Sequence, residues 1–219
     1  MKQQEKKIIL DLCGGTGSWS KPYKDAGYDV RLVTLPDGDV TTYKLPDEPI
    51  YGILAAPPCT QFSFARTNAK IPRNLNEGME TVKACLNLIW EAQARYENDQ
   101  QKYPPLKFWA LENPFYGWLR WFIGKPAFIF DPWEFGDAYK KRTSLWGHFN
   151  EPVKTIDDMT KVMTSEQIEK HKTNSQKLPK FDYMKSKDIH PEYYKKFDRQ
   201  TRRAITPKGF ALAFYKANK

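Results

Sequence analysis

The chain has 219 residues, with 35 Lys and Arg against 26 Asp and Glu and a formal net charge of +9, which favours a polyanionic partner. Three cysteines without a C-x-x-C pair exclude a disulfide scaffold and a cysteine-built metal site, and His148, His171 and His190 form no ligand pair at helical spacing. No apolar run reaches the length of a membrane span, and the first residues, MKQQEKK, lack signal-peptide character, so one α/β domain with a small appendage is expected in the cytoplasm, with no bound metal.

The first element is an apolar run at 7–13 with the length and composition of a buried parallel strand. It empties into Gly14-Gly15-Thr16-Gly17-Ser18-Trp19, followed by a helical stretch over 18–26. Strand, glycine turn and helix make a cradle in which backbone approaches a ligand closely and amides are free to donate. Asp11, at the strand end, can orient that turn or meet a ligand ammonium. A phosphate loop is excluded, because no Gly-Lys-Ser or Gly-Lys-Thr follows, and the glycines do not fit a dinucleotide fingerprint. The next strand, 28–34, ends at Thr34 rather than at the acid that usually holds a ribose.

A third strand at 51–56 runs into Pro57-Pro58-Cys59-Thr60-Gln61-Phe62-Ser63. A thiol at the rim of an open sheet stands where such folds keep their chemistry, although a small apolar residue closing a strand reads the same way in isolation. Residues 60–77 are polar and basic, with Arg66, Lys70 and Arg73, and suit a loop over a bound nucleotide or a plain surface connection. A helix is predicted over 77–98, with Cys85 among its apolar neighbours in the core. A strand at 107–112 ends at Glu112-Asn113, where a carboxylate caps a turn or acts in chemistry. A helix at 115–123 and strands near 127–130 and 143–149 follow, and a final helix spans 208–217. Alternating strands and helices predict a Rossmann-like, mostly parallel sheet covered on both faces.

Residues 151–219 carry 16 Lys and Arg against 9 Asp and Glu, an excess of seven that suits nucleic acid or a lysine-rich solvated surface. Aromatics interleave with lysines at 181–185 and 193–197. A short helix is expected at 164–170. The organisation expected is a catalytic core over 1–150, a small recognition-like insert over 151–203 and a C-terminal helix over 204–219 that returns to the core.

These segments together resemble the cytosine-5 DNA methyltransferase family, and do so in the family's chain order. Asp11-Leu12-Cys13-Gly14-Gly15-Thr16-Gly17 resembles its first motif, with Cys13 where phenylalanine is usual. Pro57-Pro58-Cys59 is similar to its catalytic Pro-Cys motif, and Leu111-Glu112-Asn113-Pro114 to its Glu-Asn-Val motif. Lys141, Arg142 and Thr143 stand where a Gln-x-Arg-x-Arg motif is expected, and Ile205-Thr206-Pro207 resembles the last motif, which packs beneath the cofactor. Asp39-Val40 stands for an adenine-contacting Asp-Ile step.

The resemblance implies a class I methyltransferase fold, S-adenosylmethionine as cofactor and DNA as partner, its target cytosine flipped out or single-stranded. Cys59, Glu112, Lys141 and Arg142 would be catalytic. Asp11, Cys13, Gly14, Gly15, Gly17, Trp19, Thr34, Asp39 and Pro57 would border the cofactor, and Ser63, Arg66, Asn113 and Thr143 the substrate. The compact chain suits a phage or mobile-element type. Methylation of a free deoxycytidine nucleotide or of RNA, methylation of an amino group, and a catalytically silent nucleic-acid binder are the competing readings.

Overall fold

A computed structural model describes residues 6–66, 69–174, 195–197 and 199–219. Apolar runs form β1 (Ile8–Leu12), β2 (Asp29–Val33), β3 (Ile50–Ala55), β4 (Phe108–Pro114), β5 (Phe128–Phe130) and β6 (Thr143–His148). They make one sheet in the order β2-β1-β3-β4-β6-β5. β2, β1, β3 and β4 are parallel neighbours, and β6 runs antiparallel between β4 and β5. This is a mixed α/β architecture with a mostly parallel six-stranded sheet, compatible with a Rossmann-like fold.

Alternation along the strands sends side chains to two separate apolar layers. Ile8, Leu10 and Leu12 of β1 pack on the face covered by α2 (Leu75–Asn98), whose Val82, Cys85 and Ile89 recur at helical spacing and are fully buried. Asn74 caps α2 by accepting from the Glu77 amide at 3.2 Å. Ile9 points to the other face, covered by α1 (Lys21–Asp25) and a C-terminal helix, Lys208–Asn218. There Phe210 stacks on Phe130 with centroids 3.9 Å apart, and Phe214 meets Trp19 and Phe108 edge-on at 5.4 and 5.5 Å. Burying one such ring contributes about 2–3 kcal/mol, so the last helix is held firmly to the sheet. The Asp137 carboxylate accepts from the Gly209 amide at 2.9 Å at the start of that helix, and burial pushes Asp137 up to about 6.

Three further α-helices are α3 (Leu119–Ile123), α4 (Ser165–Asn174) and α5 (Arg199–Ala204), so that Lys208–Asn218 is α6, and 3-10 turns form at Pro132–Phe135 and Met159–Val162. Each expected strand has its counterpart, with three corrections nearby. The helix expected over 18–26 forms only at Lys21–Asp25, because the left-handed backbone at Cys13, Gly15 and Gly17 holds the preceding residues in turns. The one expected over 115–123 is confined to Leu119–Ile123. β4 does not stop at Glu112: pairing of Glu112 with Leu145 and Asn113 with Ser144 carries it on to Pro114. The aromatics at 181–185, Tyr193 and Tyr194, and much of the expected 151–203 insert lie outside the described residues. Among the described residues no helix is long and apolar enough to cross a membrane.

The strand order has one consequence for function. The chain leaves β1 for β2 on one side and returns to β3 on the other, so the crevice beyond the C-terminal ends of β1 and β3 is the switch point where such sheets take ligands. The glycine turn follows β1, the Pro-Pro-Cys segment follows β3, and Glu112 lies near the same end of neighbouring β4.

Candidate active site

Two features shape the glycine turn: positive φ and close approach. Cys13, Gly15 and Gly17 have φ of 56°, 56° and 68°, and the Gly17 amide donates to the Gly14 carbonyl at 2.9 Å. A Cβ on Gly14 would lie 2.3 Å from the Asp11 carboxyl, whereas one on Gly15 meets nothing within 4 Å. The turn is therefore closed against Asp11 on one side and open on the other. Asp11 is fully buried, accepts from Ser20 Oγ at 2.5 Å, and is pushed up to about 6 by burial, against the pull of that hydrogen bond.

Buried polar side-chain atoms normally have partners, so exceptions are informative. Asp11 Oδ1, Thr16 Oγ1 and Trp19 Nε1 have none, and all three belong to β1 or its turn. A fourth, Asn113 Oδ1, lies at the end of β4. Trp19 itself is a core residue packed on Phe210 and Phe214, so its ring supports the turn from beneath. Cys13 turns its thiol toward Cys85 and the α2 layer, leaving its backbone to border the turn. The Ser18 hydroxyl accepts from the Thr206 amide at 2.8 Å, tying the segment before α6 to the same turn.

Cys59 is a free, partly exposed thiol. Burial raises its pKa first, the nearby Glu112 carboxylate raises it further, and the cations Lys141 and Arg203 oppose both. Glu112 is partly exposed, and its pKa is raised by burial and opposed by Lys141. Nucleophile, carboxyl and two cations thus share one neighbourhood although they come from four segments of the chain. Lys141 is anchored there by donating to the Ile205 carbonyl at 3.0 Å. Asn113 Nδ2 donates to the Pro57 carbonyl at 3.0 Å, clamping the Pro-Pro-Cys segment to β4. The Cys59 carbonyl in turn accepts from the amides of Phe62 and Ser63 at 3.0 and 2.8 Å.

Several expected site residues have other duties. Arg142 is exposed and lies over the Phe115 ring at 4.8 Å, whereas Lys141 and Arg203 are the cations that act on Cys59. Thr143 is buried and donates to the Lys141 carbonyl at 2.6 Å, which fixes the backbone of Lys141 rather than a substrate. Asn113 is buried and its Nδ2 is used on Pro57, which positions the loop, while its Oδ1 is left without a partner. Ser63 uses its hydroxyl to accept from the Ala65 amide, and Arg66 binds Gln61 Oε1 at 2.7 Å and the Ile71 carbonyl at 2.9 Å, so both organise the loop after Cys59. Thr34 is half-buried and its carbonyl accepts from the Gly38 amide. Asp39 is exposed and accepts from the Thr41 amide and hydroxyl at 2.9 and 2.7 Å, which hold its carboxyl below the usual range.

Arg203 was not among the sequence candidates; the signal for it is the basic pair Arg202-Arg203, separated from Ile205-Thr206-Pro207 only by Ala204. A cavity of about 10 Å³ among Glu48, Ile50, Ala92 and Arg95 lies at the start of β3, the end away from Cys59, and is too small for a substrate. Among the described residues no group of three or more His, Cys, Asp or Glu side chains converges as a metal site. Neither a scan against models of known protein families nor a search of curated proteins finds a match.

Proposed function

We propose that this protein methylates carbon 5 of cytosine in DNA, using S-adenosylmethionine and a covalent adduct on Cys59. The observation that carries the reading is the convergence of the Cys59 thiol, the Glu112 carboxyl and Lys141 beside a glycine turn with orphaned polar atoms. The resemblance of those same residues to the cytosine-5 DNA methyltransferase family, and a sheet compatible with the class I methyltransferase type, support it. The net charge of +9 suits a nucleic-acid substrate.

The turn after β1 fits the proposed cofactor. Asp11 is a buried carboxyl that takes a hydrogen bond from Ser20, and among the described residues no cation bears on it, so the ammonium of an amino-acid moiety would complete its environment. Gly14, Gly15 and Gly17 keep the backbone accessible, and Thr16 Oγ1 is a further buried group in want of a partner. When bound, S-adenosylmethionine supplies an electrophilic methyl group.

The protein's own residues make carbon 5 able to accept it. Cys59 Sγ, as thiolate, adds to carbon 6 of the ring, while Glu112, whose pKa burial raises, hands a proton to the ring nitrogen and neutralises the charge that develops there. Carbon 5 is then enamine-like and takes the methyl group. Removal of the carbon-5 proton by a base restores the ring double bond as the carbon–sulfur bond breaks and the thiolate leaves, and the ring nitrogen returns its proton to Glu112. Lys141 and Arg203 favour the thiolate electrostatically, while Asn113 and Thr143 hold the Cys59 and Lys141 segments in place. A target inside duplex DNA must leave the stack, at a cost of about a few kcal/mol.

The test is transfer of labelled methyl groups from S-adenosylmethionine to duplex DNA, single-stranded DNA, RNA and dCMP. DNA labelling that disappears in Cys59→Ala is the expected result. Labelling confined to RNA or dCMP, or DNA labelling that survives Cys59→Ala, would overturn the substrate or the covalent step respectively.

A further inference from the structure

Beside the Cys59 segment the protein exposes aromatic rings that the proposed chemistry does not use. Trp121 is 65% exposed, Tyr116 57% and Phe64 36%, which is unusual for side chains of this size in one place. Phe64 lies 6.4 Å from both Trp118 and Trp121, and the two indoles stack 6.0 Å apart with planes 17° from parallel. The rings belong to the two segments that leave the site, one after Cys59 and the other after Glu112.

Those segments are fastened together as a platform. The Phe64 amide donates to the Tyr116 carbonyl at 2.9 Å, the Trp118 amide to the Phe62 carbonyl at 3.1 Å, and Ser63 bridges Gly117. Arg73 donates to the Gln61 and Ser63 carbonyls at 2.9 and 2.8 Å and lies 4.9 Å over the Trp118 ring. The surroundings are mostly cationic: residues 59–75 contain Arg66, Lys70 and Arg73 and residues 114–126 contain Arg120 and Lys125, with no acid in either stretch, while Glu77 lies beside Gln61 and Asp131 near Arg142. Arg142 belongs here as well, because it and Arg120 flank Phe115 at 4.8 and 5.2 Å.

We infer that this platform binds single-stranded nucleic acid, stacking the bases that flank the target on Phe64 and Trp121, with Trp118 supporting them, while Arg120 and Arg142 meet phosphates. Flat rings with interleaved cations are the composition that binds unpaired strands without reading their sequence. An apolar surface would match the rings but leave the excess of positive charge without a counterpart. The platform also gives the exposed Arg142 a role outside the catalytic cluster. The inference deepens the methyl-transfer reading and rests on it for the word "target", although binding itself does not require catalysis.

Fluorescence anisotropy with a labelled oligothymidylate tests it, since that strand contains no cytosine. The full chain and the Trp121→Ala, Phe64→Ala, Arg142→Ala and Trp90→Ala variants are compared, the last altering an exposed indole on α2. Trp121→Ala and Phe64→Ala are expected to weaken binding by about tenfold each, Trp90→Ala to leave it unchanged, and Arg142→Ala to reduce the slope of log affinity against log salt by about 0.7. Circular dichroism and thermal midpoints matching the wild type show that the variants fold. Unchanged affinity in both aromatic variants, no binding by the wild type, or a change of oligomeric state in Trp121→Ala without a change in affinity would overturn the inference. If oligothymidylate binding behaves as stated but no methyl transfer occurs, the platform stands and the methyl-transfer reading falls. If transfer occurs and both aromatic variants bind fully, the reverse holds.

Discussion

Asp11→Asn separates what the glycine turn does for ligands from what it does for stability. In the ligand-free protein Asp11 is a buried carboxyl raised from its ordinary 3.8 to about 6. A rise of roughly 2 units, at ~1.4 kcal/mol each, means that the ionised group opposes folding by about 3 kcal/mol at neutral pH. The sign follows from the direction of the shift. A raised folded-state pKa favours the fold below the unfolded value, and that advantage is lost as pH rises through about 6 and stays lost above it. Asparagine keeps the shape and an acceptor for Ser20 but carries no charge. Urea unfolding of wild type and Asp11→Asn from pH 3.5 to 8 should therefore show curves that converge at the acid end and separate by up to about 3 kcal/mol at pH 7.5, with the variant more stable. Saturating S-adenosylmethionine should raise the thermal midpoint of the wild type and leave that of the variant unmoved. A difference independent of pH, or a variant less stable than wild type at pH 7.5, would refute the buried-charge account.

Three further outcomes follow from the site geometry. Alkylation of Cys59 by iodoacetamide, read on its own peptide by mass spectrometry, should rise with pH around a midpoint above the ordinary thiol value. Glu112→Gln should lower that midpoint and Lys141→Met raise it, because the carboxylate and the ammonium act on the thiol with opposite signs. Asn113→Ala should remove about 1–3 kcal/mol of stability in denaturant unfolding, having deleted a buried donor to the Pro57 carbonyl, and should reduce kcat more than it raises KM. Gly14→Ala should abolish the thermal shift given by S-adenosylmethionine, because its methyl group would collide with the Asp11 carboxyl.

The parts of this site legible in the sequence are those carried by strand ends. The apolar runs before Cys13, Cys59 and Glu112 are strong strand signals, and an open parallel sheet brings the ends of its strands to one edge, so the glycine turn, the thiol and the carboxyl could be placed together from their order alone. Side-chain direction was less accessible. Lys141 and Arg142 are adjacent cations in the approach to β6, and the alternating geometry of extended backbone sends one toward Ile205 and the other out over Phe115. Thr143 follows the direction of Lys141, yet its hydroxyl is used on the chain itself. Arg203 reaches Cys59 because α6 anchors the chain end on the far face of the sheet, a pairing of distant segments that no local pattern encodes. The extension of β4 past Glu112 was hidden for the same reason, since it depends on antiparallel pairing with β6 rather than on the residues of β4. The aromatic platform arises when the turns after β3 and β4 join through Phe64–Tyr116 and Phe62–Trp118 backbone bonds.

The central claim is that Cys59 and Glu112 act on the same cytosine ring. Incubation with S-adenosylmethionine and DNA carrying 5-fluorocytosine tests it most directly, because fluorine at carbon 5 prevents the elimination that releases the sulfur. Intact-mass and peptide analysis should find the methylated strand joined to Cys59 in the wild type and no adduct in Cys59→Ala. A wild type that methylates ordinary cytosine DNA but never becomes joined to the fluorinated strand would contradict the account.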